Sequence, residues 1–175
     1  MTYSEKAIKM SKLNIAVLTV SDTRTIETDK SGDYLISEIQ SSGHIMIERV
    51  IVIDDIYKIR AVLSGWIADD NIHAVIITGG TGFYGRDSTP EAVAPLFDKT
   101  MPGFGELFRS VSYQEIGSST IQSRAIAGLA NNTVMFCLPG STGACKTAWT
   151  KIIKEQLTLK FGPCNFVKLL TTGIH

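Results

Sequence analysis

The chain has 175 residues, with 17 Lys and Arg against 17 Asp and Glu, 44% apolar and 19% charged side chains. A chain of this size buries about two thirds of the surface it exposes when unfolded, so it needs no disulfide framework and is not a disordered segment. Balanced charge excludes nucleic acid and anionic membranes as principal partners, because both select clustered Lys and Arg; any anion bound here must be held locally.

Residues 13–20 (LNIAVLTV) form a nearly continuous apolar run rich in branched side chains, the pattern of a central strand buried on both faces of a parallel sheet. Residues 31–42 place Leu35, Ile36 and Ile39 on one helical face, and Gly43 follows where a left-handed C-cap is expected. Residues 44–53 read as a second strand, after which Asp54 or Asp55 caps a helix carrying Ile56, Ile59, Val62, Leu63, Trp66 and Ile67 at 3.6-residue spacing. Residues 73–78 (HAVIIT) are a third buried strand, which completes a β-α-β-α-β series and implies helices on both faces of the sheet.

A Gly-rich segment follows Thr78, and Thr89-Pro90-Glu91 then starts a helix, with Thr89 as N-cap and Pro90 at the first helical position; Pro95 limits it. A further helix is expected over about 103–116, with Leu107, Phe108 and Val111 on one face. Residues 123–130 and 133–138 read as paired strands around Asn131-Asn132, a turn that tolerates positive φ. Pro139-Gly140-Ser141 ends the second, and residues 143–157 form a helix with Ala144, Ala148, Trp149, Ile152 and Ile153 inward. Residues 161–175 read as a short tail with a polar end.

Cys137, Cys145 and Cys164 lack C-x-x-C spacing and read as packing or bystander thiols in a reduced compartment. The first apolar run is too short for a membrane span and lacks a cleavage site, so a cytoplasmic protein is expected. His44 and His73 precede strands at the amino-terminal edge, and His175 is the last residue; none reads as catalytic. Elbow, zincin and Cys/His cluster motifs are absent from the sequence.

Chemistry concentrates in the loops that leave the carboxyl ends of the strands, where ligands of open α/β sheets gather. Thr78-Gly79-Gly80-Thr81-Gly82 has the glycines to turn successive amides toward one point as an anion nest, although a tight turn alone would also explain it. Arg86 and Asp87 follow directly before the capped helix. They are either a surface pair, or a fork-shaped cation for phosphate oxygens beside a carboxylate that holds a divalent cation such as Mg²⁺ or orients the nucleophile. Pro139-Gly140-Ser141 opens into a helix at the equivalent place, with Ser141 or Thr142 as a plain N-cap being the alternative. Asp54 and the Ser21-Asp22 pair belong to the same edge and are equally open to capping and turn roles. A generic flavodoxin-like binder of NAD would need a G-x-G-x-x-G turn with an acid about twenty residues later, and no such turn is present.

TVSD at 19–22, DKSG at 29–32, TGGTGFYGRDSTPEA at 78–92, MPGFGE at 101–106, SR at 123–124 and PGS at 139–141 together resemble the molybdenum cofactor biosynthesis MoaB/MogA family. The likeness is greatest to its B branch, by the DKSG spacing, the GSSTIQSRAIAG segment and the GPCNF ending. The resemblance implies a three-layer α/β/α sandwich with a mostly parallel central sheet and a short antiparallel edge. It also implies one domain over residues 13–170, between an N-terminal extension (1–12) and a C-terminal tail (171–175), and assembly as a homotrimer or a hexamer. By resemblance the activity is adenylyl transfer from Mg-ATP to molybdopterin; the alternative is a protein that binds molybdopterin or a precursor without transfer. Thr78, Gly79, Gly80, Thr81, Gly82, Arg86 and Ser21, with Pro139, Gly140 and Ser141, would line the pterin and nucleotide pocket. Asp87 matches the family's R-D-x-T-P aspartate and is the candidate for Mg²⁺. Asp54 matches a second acidic position, with Ile53 standing where the family has proline.

Overall fold

The computed structural model describes residues 12–172. Six strands form one sheet in the order β2-β1-β3-β6-β5-β4. The first four neighbours, β2 (Ile45–Val52), β1 (Asn14–Val20), β3 (Ala74–Thr78) and β6 (Thr133–Leu138), run parallel. β5 (Ile126–Ala130) pairs antiparallel with β6, and β4 (Lys99–Thr100) antiparallel with β5, which makes the antiparallel edge.

The continuous apolar runs of β1, β3 and β6 are explained by what covers each face. Side chains alternate along a strand, so Ile15 and Val17, Ile76, and Val134 and Phe136 face one core with Leu35, Phe108 and Trp149. Ala16 and Leu18, Val75 and Ile77, and Met135 and Cys137 face the other, with Ile59, Leu63 and Trp66. The first core is roofed by α1 (Lys30–Ser41), α4 (Pro102–Ile116), α5 (Thr142–Ala148) and α6 (Val167–Thr172), the second by α2 (Ile56–Ile67) and the short α3 (Thr89–Val93). Removing a side chain as central as Phe136 costs about 3–5 kcal/mol at such a site. Among the described residues no helix is long and apolar enough to cross a membrane.

Several expectations change in detail. Helix α1 starts one residue before the expected range, because Asp29 caps it by accepting from the Gly32 amide (2.9 Å). Gly43 has φ +85, the left-handed conformation its place after α1 requires, and Asn131 and Asn132 have φ 43 and 63. The cap of α2 is Asp55, whose carboxylate accepts from the amides of Tyr57 and Lys58, and this frees Asp54 from capping. Thr89 is not the cap of α3: Ser88 holds that position and Thr89 is inside the first turn. Leu107 is exposed, since it is Phe104 and Phe108, four apart, that meet the sheet. Residues 117–122 form a 3₁₀ helix, and the strand expected from 123 begins at Ile126. The helix after β6 passes through a π turn (Trp149–Ile153), and part of the expected tail is α6. The N-terminal extension and residues 173–175 lie outside the described residues, apart from Lys12.

Candidate functional site

Because β1, β3 and β6 are parallel neighbours, their carboxyl ends bring three loops together, and the turn after β2 adds a fourth. They enclose a crevice of about 500 Å³. Ser21, Asp54, Thr78 to Gly82, Arg86, Asp87, Pro139 and Gly140 all line it, so the structure gathers nearly every candidate from the sequence in one place. Ser141 is the exception. Its hydroxyl accepts from the Ala144 amide (3.2 Å) as the N-cap of α5, and it does not line the crevice.

The floor is the turn after β3. Gly79 has φ +100, and a Cβ there would overlap the Val20 carbonyl oxygen and lie 3.2 Å from its carbon, so the loop can pass this close to β1 only without a side chain. Its amide donates to the Leu138 carbonyl (3.1 Å) and belongs to the sheet, which removes it from the expected nest. Gly80 has φ +61. Among the described residues no acceptor engages the amides of Gly80, Thr81 or Gly82, and these are the donors left for an anion. Thr78 turns inward to donate to the Pro139 carbonyl (3.0 Å), and Gly140 approaches Gly79 so closely that an added Cβ would lie 3.1 Å from its Cα. Ser31 of α1 donates to the Gly140 carbonyl (2.9 Å), holding the second loop against the first.

Two carboxylates flank this floor. A Cβ on Gly80 would lie 3.0 Å from the Asp54 Cγ, and one on Gly82 would lie 2.6 Å from Asp87 Oδ2. Asp54 Oδ1 accepts from the Ser88 amide (3.1 Å) and hydroxyl (2.6 Å). Burial, reinforced by the nearby charges of Asp87 and Asp22, pushes the Asp54 carboxyl above its ordinary pKa. Asp87 Oδ2 accepts from the Tyr84 amide (3.0 Å). Arg86 does not pair with its neighbour Asp87. It is exposed at the rim, with Nη2 3.3 Å from Asp22 Oδ1 and 3.3 Å from the Asp54 carbonyl oxygen.

Other residues of the site emerge only from the structure. Asp29, 2% exposed, also lines the crevice; it accepts from the Thr19 hydroxyl (2.6 Å) and from Arg49 (2.9 Å). Burial alone would raise its pKa, but the hydrogen bonds from Thr19, Gly32 and Arg49 outweigh it and hold the carboxyl below the usual range. Thr89 Oγ1 is buried beside Gly80 and has no hydrogen-bond partner among the described residues. Arg124 reaches in from ahead of β5 to the Thr81 and Asp87 carbonyls. The DKSG and SR motifs mark Asp29 and Arg124, but nothing local in them states what either side chain touches.

The remaining polar outliers have structural roles. His44 and His73 accept the Leu13 and Asn14 amides through Nδ1, and burial lowers the pKa of both. Cys137 and Cys145 are buried, which raises both thiols, Cys145 to about 11; Cys164 is exposed.

For a divalent cation, the described residues offer no cluster of three or more His, Cys, Asp or Glu side chains that could hold one unaided. Crowded carboxylates at Asp54 and Asp87 beside open amides suit a hard ion shared with bound phosphates, the usual manner of Mg²⁺.

A three-layer α/β domain whose parallel strands end at an amide-floored, acid-flanked crevice has the donors to receive an anion at that sheet edge. The chain belongs to the family described as "probable molybdopterin binding domain", whose model matches residues 16–159. It is 50% identical over 163 residues to molybdenum cofactor biosynthesis protein B of Escherichia coli K12, covering 93% of this chain and 96% of that one. It is likewise 50% identical over 143 residues to the protein of that name from Bacillus subtilis, covering 81% and 84%. A crystal structure of molybdenum cofactor biosynthesis protein B superposes with a TM-score of 0.81 at 44% identity, over 83% of this chain and 91% of that one. The tungsten cofactor synthesizing protein MoaB of Pyrococcus furiosus does so at 0.75 and 38%, over 83% and 92%.

Proposed function

We propose that this chain acts in molybdenum cofactor biosynthesis and transfers an adenylyl group from Mg-ATP to molybdopterin. Its place in the pathway is supported by the names of relatives at 50% identity over most of both chains. The transfer reading is carried by one observation: two carboxylates, Asp54 and Asp87, lie against the glycines of a turn whose next amides are open.

In this reading a phosphate oxygen of molybdopterin attacks the α-phosphorus of ATP. A new P–O–P bond forms, the bond to the β-phosphate oxygen breaks, and pyrophosphate leaves with the electron pair. The Gly80, Thr81 and Gly82 amides hold phosphate oxygens and offset charge that develops on them. Arg86 sits at the rim, where exchanging Asp22 for an incoming phosphate would draw ligand inward. Asp87 and Asp54 would hold Mg²⁺, which when bound neutralises phosphate charge and favours the leaving pyrophosphate. Asp54 and Ser88 fix one another, and Asp87 is fixed through Tyr84, so both carboxylates are oriented before ligand arrives. The second reading, a crevice that binds molybdopterin or a precursor without transfer, is favoured by the other consequence of these contacts, that Asp54 Oδ1 and Asp87 Oδ2 are already engaged and have less capacity for a metal ion.

The deciding experiment is incubation with molybdopterin and Mg-ATP, scoring adenylylated product and pyrophosphate. The wild type is expected to form both, and Asp87→Asn to lose turnover by about a hundredfold or more while retaining pterin binding. Undiminished turnover in Asp87→Asn refutes its role; pterin binding with no product in the wild type establishes the second reading.

A further inference from the structure

We propose that Arg124 is a positioning residue that latches residues 81–87 across the crevice wall and thereby sets where the Asp87 carboxylate stands. Its catalytic consequence rests on the transfer reading above; the latch itself does not.

Arg124 Nε donates to the Thr81 carbonyl (3.0 Å) and Nη2 to the Asp87 carbonyl (2.7 Å), while Nη1 pairs with the Glu91 carboxylate. The guanidinium carbon also lies 5.1 Å from the centre of the Phe83 ring. One planar group therefore grips both ends of the segment that carries Asp87, an aromatic within it, and the helix that follows. Between those ends the chain closes on itself: the Tyr84 amide donates to Asp87 Oδ2 (3.0 Å) and the Asp87 amide to the Tyr84 carbonyl (2.9 Å). Phe83 and Tyr84 are 69% and 89% exposed, so no apolar burial holds this segment in place. With burial absent, the segment is held from outside by this fork of donors and by the longer contacts of the exposed Arg86 with Asp22 and the Asp54 carbonyl.

The start of the anion floor, Gly79 and Gly80, is anchored separately. The Gly79 amide is tied to Leu138, and the Gly80 carbonyl accepts the Thr89 amide (2.9 Å). Loosening Arg124 should therefore displace Asp87 and leave Gly79 and Gly80 in place, with only the Gly82 amide, which shares a peptide plane with the Thr81 carbonyl, loosened alongside. Lysine keeps the charge but lacks the flat array of donors needed to serve two carbonyls and a carboxylate together.

The test uses the full chain as wild type, Arg124→Lys and Glu91→Gln. The first measurement is amide hydrogen exchange without ligand. In Arg124→Lys the Tyr84 and Asp87 amides are expected to exchange about tenfold faster or more, with β1 and β3 unchanged. Glu91→Gln keeps both carbonyl contacts and should give a smaller change in the same direction, which preserves the test if Arg124→Lys fails to fold. Unchanged exchange at these amides in both variants overturns the latch.

The second measurement is kinetic. A displacement of the order of 1 Å costs about a hundredfold in rate, so kcat in Arg124→Lys should fall by that order, while the molybdopterin Kd, with Gly80 still anchored, should rise by less than about tenfold. An unchanged kcat, or a fall matched by an equal loss of affinity, overturns the positioning role. If the wild type makes no adenylylated product, the transfer reading fails and the exchange measurement alone judges the latch.

Discussion

Gly79→Ala alters the turn that brings the crevice floor against β1. Gly79 has φ +100, outside the region that L-residues occupy comfortably, and its added methyl would run into the Val20 carbonyl of β1. A residue held in such a sparsely populated conformation costs about 1–3 kcal/mol. Forcing a methyl against packed backbone adds about 1–3 kcal/mol. A total of about 2–6 kcal/mol in a domain of this size lowers Tm by about 5–20 °C. Relief can come only if the turn lifts away from β1, and that opens the crevice floor and moves the Gly80 to Gly82 amides. Molybdopterin affinity should therefore fall along with Tm. The reference is Gly85→Ala, in the same connection but with open space around the added methyl, where Tm is expected to change by no more than about 2 °C. Calorimetry and a binding titration on both variants check this. If Gly79→Ala melts and binds as Gly85→Ala does, the close approach of the turn to β1 is not what shapes the site.

Asp54→Asn should raise stability near neutral pH, since it removes a half-buried carboxylate crowded by Asp87 and Asp22 while leaving an oxygen for Ser88. Because the folded-state pKa of Asp54 is raised, its contribution to stability is complete below the ordinary carboxylate range and is lost as pH rises through the folded value; the Tm advantage of the variant should vanish on acidification. Asp29→Ala leaves the largely buried Arg49 with only the exposed carboxylate of Asp33 and removes the cap of α1, and is expected to cost about 3 kcal/mol by denaturant titration at neutral pH. The Asp29 pKa is lowered, so its contribution is present above the ordinary carboxylate range and is lost as pH falls through the folded value, and the deficit of Asp29→Ala should shrink in acid. A thiol reagent should modify Cys164 alone in the native protein and all three cysteines in denaturant, which mass spectrometry reads directly.

What could be read in the sequence follows the range of the interactions concerned. The buried strands were legible because burial on both faces leaves continuous apolar runs at residues 14–20, 74–78 and 133–138. The crevice was legible because a glycine-rich turn after such a strand says where the backbone must bend and which end of the sheet it occupies. β4 was not: Lys99 and Thr100 have no pattern of their own and form a strand only by pairing with Gly128 and Leu129. The division of labour between Asp54 and Asp55 was equally hidden, because either residue alone would satisfy the local capping signal. It is Ser88, 34 positions away, that turns Asp54 toward the crevice. Arg124 reads as part of a strand, and its grip on Thr81 and Asp87 spans 43 and 37 residues. Local rules thus located the site, while the fold alone determined which side chains hold its parts in place.

The most direct measurement is a crystal structure of the protein with molybdopterin bound. The phosphate should lie within hydrogen-bonding distance of the Gly80, Thr81 and Gly82 amides, between Asp54 and Asp87. A phosphate seated elsewhere, with those amides facing water, would contradict the account.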